Sequence, residues 1–204
     1  MEKNPSSAEE LKLIRKIMEE STRFLSLSGF SGVFLGLFAI AGAIVAWFVI
    51  LDSGNVSCDE SLSTALRMQL AADALCVLIL SLVAAFYFSN RNAKKAGKSL
   101  WTSASRRLLV SLAIPLITGG VFALILLSRN QLQLIIPVFL IFYGLALINA
   151  GKFTYNEIFY LGIFEIITGL FSAVLPGLGL IFWVLGFGIL HIVYGIMMYR
   201  KYEV

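Results

Sequence analysis

Six apolar runs, at about 30–51, 69–89, 109–128, 132–150, 158–175 and 180–199, alternate with short polar segments along the chain. Each is near the roughly 20 residues that an α-helix needs to cross a hydrocarbon core about 30 Å thick. The pattern predicts an all-α, polytopic membrane protein: six transmembrane helices in three helical hairpins, forming one bundle over 30–204. The fifth and sixth runs are joined only by Leu175-Pro176-Gly177-Leu178-Gly179, so they are expected to form a tight hairpin.

Residues 1–29 form a separate polar lead-in. Ser7-Ala8-Glu9-Glu10 fits a capping box, a hydroxyl cap with Glu three residues on. Leu11, Ile14, Ile17 and Met18 then follow a helical period, with Lys12, Arg15, Lys16, Glu19 and Glu20 mostly elsewhere on the wheel. This predicts an amphipathic N-terminal cytoplasmic helix. It is read as a lead-in packed under the bundle; lying on the membrane or gripping a partner is the alternative. A cleavable signal peptide has a short basic start and a 7–15-residue apolar core, which these residues do not match.

Composition agrees with the membrane reading. The chain is 59% hydrophobic and 14% charged, against about 45–50% apolar and 25% charged in ordinary soluble chains. A net charge of +4 would suit nucleic acid, but the charges sit beside the apolar runs. Segments 1–29, 90–108, 151–157 and 200–204 hold fourteen of the sixteen Lys and Arg; the other side has only Arg67 and Arg129. The positive-inside rule therefore places both termini in the cytoplasm, for a multi-pass protein of the inner (plasma) membrane. Arg91, Lys94, Lys95, Lys98, Arg106 and Arg107, with Trp101 among them, are the topology signal and also a patch suited to anionic lipid headgroups. Membrane lipids and a membrane-protein partner or second copy are the expected partners; nucleic acid is not, since no folded cytoplasmic module would bind it.

Cys58 and Cys76 are too few for a disulfide framework. A single His excludes His-rich zinc and bis-His haem sites within one chain. Paired-His, Gly-x-Ser-x-Gly and phosphate-loop signatures are missing from the sequence. No metal, cofactor or enzymatic activity is expected.

The third and fourth runs repeat in the fifth and sixth. Ile117-Thr118-Gly119 matches Ile167-Thr168-Gly169, and Phe142-Tyr143-Gly144 through Gly151 matches Gly186-Phe187-Gly188 through Gly195. Both copies run in one direction, unlike the inverted repeats of many transporters.

The last hairpin carries the candidate chemistry. Glu165 and His191 each lie roughly 13 Å from its open end, taking 1.5 Å per residue, and so at one depth. Gly162 and Gly169 flank Glu165 at offsets of three and four, and Gly188 and Gly195 flank His191 in the same way. Those steps stay on one helix face, and glycine stripes mark close helix approach in membranes. Glu165 and His191 are therefore expected to pair, as a structural lock or as a proton relay. Thr168 and Tyr194, each three residues further on, could extend the network or bond a backbone carbonyl. In the sister hairpin Pro115 and Leu147 hold the two slots, so both polar members are absent together. Asp73 is read as an interfacial carboxylate near Arg67 on the outer side, with an outer gate as the alternative.

Three glycine-spaced hairpins and the phrase Gly188-Ile189-Leu190-His191-Ile192-Val193-Tyr194-Gly195-Ile196 resemble the small six-helix bacterial membrane proteins of the HdeD-like group, some of which are linked to acid stress. The resemblance implies a non-enzymatic membrane protein with an accessory or regulatory, stress-related role. The alternative is a small transporter or proton-coupled permease built on Glu165 and His191.

Overall fold

The computed structural model describes residues 27–52, 64–97 and 99–203. The expected N-terminal helix and Lys98 lie outside them. Six helices are long and apolar enough to cross a membrane, and there is no strand among the described residues. The chain is an integral membrane protein of the all-α class.

Helix α1 (Gly29–Asp52) is followed by α2 (Thr64–Lys95) and α3 (Ser103–Ser128). At 1.5 Å per residue, the 32 residues of α2 span about 48 Å, well beyond an apolar core of roughly 30 Å. Its last turn carries Lys94 and Lys95, where positive charge suits the exposed carbonyls. Thr102 starts α3 with a reciprocal capping box to Ser105. After α3 the chain turns through Asn130 in the left-handed region (φ 59°), an expected residue type there, and a 3₁₀ turn at Leu132–Leu134 leads into α4 (Ile135–Gly151). Helix α5 (Asn156–Val174) and α6 (Gly179–Tyr202) are separated by a turn with Gly177 at φ 99°.

Helix α6 is not uniform. It is α-helical over Gly179–Trp183, π-helical over Val184–Leu190 and α-helical again over His191–Tyr202. The apolar periodicity did not foretell this widened turn, which ends one residue before His191.

The closest packing lies between the expected hairpins rather than within them. Helix α5 packs chiefly on α4, and α6 chiefly on α1; α5 and α6 touch each other less than either touches those neighbours. The short turn joins α5 and α6 as expected, and each packs more on another hairpin's helix than on the other. Glycines explain the choice. A Cβ on Gly162 would stand 2.6 Å from the Gly144 oxygen of α4, and one on Gly195 would stand 2.6 Å from the Gly29 oxygen of α1. Only backbone fits at these crossings. Gly169 likewise faces Leu140 and Ile141 of α4, and Gly188 faces Ile40 of α1. The two glycine stripes thus grip different helices.

Polar ties hold the ends. At one end the Glu203 carboxylate accepts the Gly29 N–H, so the end of α6 caps the start of α1. Lys201 and Tyr202 both donate to Glu157 Oε1 at the start of α5, at 2.5 and 3.1 Å. Lys201 is exposed, so its ion pair adds little. Tyr155 packs at a tilt against Tyr202, 4.2 Å between ring centroids, and burial, followed by Tyr202, pushes its hydroxyl up to about 12. At the other end Arg67 of α2 donates to the Asn130 side chain in the α3–α4 turn.

Candidate functional site

Because α4 and α1 clamp α5 and α6 from outside, the sides of α5 and α6 left facing each other enclose a small polar cluster. Glu165 is 0% exposed and His191 3% exposed, which places both in the protein interior rather than in lipid. His191 Nδ1 lies 3.3 Å from Glu165 Oε1. The residues expected to pair are brought together.

The geometry around the pair is unequal. His191 Nδ1 also lies 3.2 Å from the Gly186 carbonyl, and Nε2 lies 2.8 Å from the Tyr143 hydroxyl of α4. A carbonyl only accepts, so Nδ1 carries a proton. Nε2 then accepts from Tyr143 in a neutral ring, or donates to it in a charged one. Glu165 has no such company. The approach of Nδ1 is within ion-pair range, yet it is not aligned as a hydrogen bond, and neither carboxylate oxygen has a hydrogen-bond partner. A buried carboxylate in that condition is costly in either protonation state.

Local structure makes the room. Gly186 and His191 are five residues apart, the spacing of the π turn that joins them, and the turn brings the Gly186 carbonyl to the imidazole. π turns inside α-helices often mark functional sites. Gly186 also lacks the side chain that would fill Glu165's space: a Cβ there would stand 2.7 Å from Glu165 Oε2. Aromatic rings wall the cluster. Tyr143 lies 5.3 Å from Phe187, and Phe187 lies 4.7 Å from Trp183. Trp183 Nε1 donates to the Ala39 carbonyl of α1 at 3.1 Å, which fixes this part of α6.

The remaining expected residues divide. Thr168 is buried, and its hydroxyl donates to the Phe164 carbonyl at 2.8 Å, the backbone option. Tyr194 packs its ring in the apolar cluster of Ala104, Leu108, Leu147, Ala150, Ile158 and Leu161. It is Tyr143, from a different helix, that reaches His191. Asp73 faces α1, 3.4 Å from where a Gly42 Cβ would be, and Arg67 bonds Asn130 rather than Asp73. Arg91, Lys94, Lys95, Arg106 and Arg107 flank the α2–α3 connection, far along the chain from the pair.

Sequence reasoning missed two participants and one buried serine further along the same helix face. Tyr143 and Gly186 entered only as repeat positions, and Ser172 not at all. Ser172 is 1% exposed, and its hydroxyl has no hydrogen-bond partner. It lies seven residues beyond Glu165 on the buried face of α5 that also carries Thr168. Chemically, the cluster can hold one proton shared between Glu165 and His191 and pass hydrogen-bond changes to Tyr143. Among the described residues there is no group of three or more metal-binding side chains.

No family model matches this chain, and no curated protein or solved structure matches it.

Proposed function

We propose that this chain is a non-enzymatic accessory or regulatory protein of the inner membrane, with both termini cytoplasmic. In this reading Glu165, His191 and Tyr143 lock the register of α4, α5 and α6. The observation that carries it is the packing around the pair. The helix bearing Glu165 meets α4 backbone to backbone at Gly162, and the helix bearing His191 meets α1 in the same way at Gly195. Helices held by such contacts suit a fixed scaffold presented to a partner, since alternating access requires packed elements to slide or rock. A stress-related role follows the HdeD-like resemblance. Reconstituted alone in vesicles, the protein should exchange no solute; crosslinked in its native membrane, it should come down with a partner. Solute exchange by the protein alone would refute this reading.

A second reading has its own support. Glu165 has two oxygens without hydrogen bonds, and Ser172 adds a third buried oxygen without one on the same helix face. Such groups suit transient protons, as in a proton-coupled permease. Here a pH gradient should drive flux in vesicles, and Glu165→Gln should fold normally yet abolish it.

A further inference from the structure

The three hairpins meet at three seams, and among the described residues only two are closed. The α4–α5 and α6–α1 seams are the glycine-lined interfaces described above. The third, between α2 and α3, has no comparable packing: α2 packs substantially on α1 alone among the helices, and α3 on α4. Sequence accounts for the difference. Helix α2 contains no glycine over its whole length, so its backbone has no flat face for a close crossing. Gly119 of α3 faces Phe142 of α4, and a Cβ on Gly120 would meet nothing within 4 Å. Yet the seam is tied at both ends, by the Arg67–Asn130 bond at one and by the short connection between Lys95 and Ser103 at the other.

The mouth beside that connection is strongly basic among the described residues. Arg91, Lys94 and Lys95 end α2, and Arg106 and Arg107 open α3. No Asp or Glu occurs between Asp73 and Glu157, and none of these five forms an ion pair among the described residues. The Arg106 guanidinium lies 5.8 Å from the ring centroid of Trp101, itself 61% exposed and so available at headgroup level.

We propose that the open α2–α3 seam holds an anionic phospholipid, its headgroup at Arg91, Lys94, Lys95, Arg106 and Arg107 and its acyl chains along α2 and α3. Arg forks match phosphate oxygens, and the cluster of positive charge selects an anionic headgroup over a zwitterionic one. The proposal stands apart from the reading of the Glu165 cluster.

The test uses the full chain in an uncharged detergent, titrated with phosphatidylglycerol or phosphatidylcholine of identical chains. Thermal stability and retained lipid are read together. Phosphatidylglycerol should raise the melting temperature further and be retained in preference, and the preference should fall as salt rises. Arg106→Gln with Arg107→Gln should weaken the preference by roughly fivefold or more, as expected for removing charges near a headgroup, while Arg106→Lys with Arg107→Lys keeps most of it. The salt series on the unmodified protein does not depend on how the variants fold. Brominated-chain phosphatidylglycerol should quench fluorescence that is lost in Trp101→Phe, placing the lipid at this mouth. Equal responses to the two lipids would overturn the proposal. So would a dimer, detected by its mass in detergent, that forms only in the absence of lipid, since a second copy would then compete for the seam.

Discussion

Removing His191 should damage this protein more than removing Glu165, although the two form a pair. After His191→Leu, the carboxylate of Glu165 remains fully buried, with no hydrogen-bond partner among the described residues and without its ion-pair contact to His191 Nδ1. The Tyr143 hydroxyl loses its partner as well. Breaking a buried charged pair by removing one member costs about 3–5 kcal/mol, and a neutral stranded group about 1–3 kcal/mol. After Glu165→Leu, by contrast, His191 keeps Gly186 and Tyr143, and Leu is near Glu in size. That change should cost no more than about 1–2 kcal/mol, as for a roughly volume-conserving swap. Combining the two substitutions removes the stranded carboxylate but not the stranded Tyr143 hydroxyl. The double variant should therefore be more stable than His191→Leu alone, by about 2 kcal/mol or more. Unfolding in mixed micelles with rising sodium dodecyl sulfate, followed by helical circular dichroism, measures all four proteins on one scale. Equal losses for the two single variants, or a double variant no better than His191→Leu, would show that the carboxylate is not stranded and that the contact carries no energy.

The glycine crossings give a second expectation. Gly162→Ala places a methyl 2.6 Å from the Gly144 oxygen, and such overpacking should cost about 1–3 kcal/mol. Gly120→Ala meets open space and should be neutral or stabilising by up to about 1 kcal/mol through helix propensity. Equal thermal stability of the two would remove the packing argument. For topology, a reporter that fluoresces only in the cytoplasm should glow when fused after Val204 and stay dark within Val56–Ser63. A bright signal at the second site would refute the six-span orientation.

Fold class and pairing were legible in the sequence because both rest on strong local signals. Runs of about 20 apolar residues leave few alternatives to spanning helices, and ionisable residues at matched depth in two neighbouring runs have few other partners. The faces of the glycine stripes were legible too, but not their neighbours. Periodicity tells which side of a helix is small and leaves open which helix comes to it. Gly162 and Gly188 therefore looked like parts of one interface, whereas they lie in two. Tyr143 was hidden for the same reason, since its hydroxyl reaches His191 only once α4 is placed against α5. The π turn that aims the Gly186 carbonyl breaks the 3.6-residue period that sequence reasoning assumes. Ser172 gave no signal, because serines in apolar helices commonly bond their own backbone.

The sister hairpin shows why the polar cluster sits where it does. Leu147 holds the slot equivalent to His191 and lies in the apolar cluster with Ala104, Leu108 and Leu161. There the helix is flanked by α3 and α5, and an apolar side chain fills the space between them. Helix α6 touches three spans, α1, α4 and α5, and α4 likewise touches three, α3, α5 and α6. An apolar residue at 191 would fit several rotational settings of α6 among three partners. A His bonded to a tyrosine on α4, beside a carboxylate on α5, fits one. Buried polar groups seldom add net stability, but they can select a single register from several of similar energy. The enclosed acid–base pair thus ties α5 to α6, two helices whose chief packing is on α4 and α1 and which touch each other less.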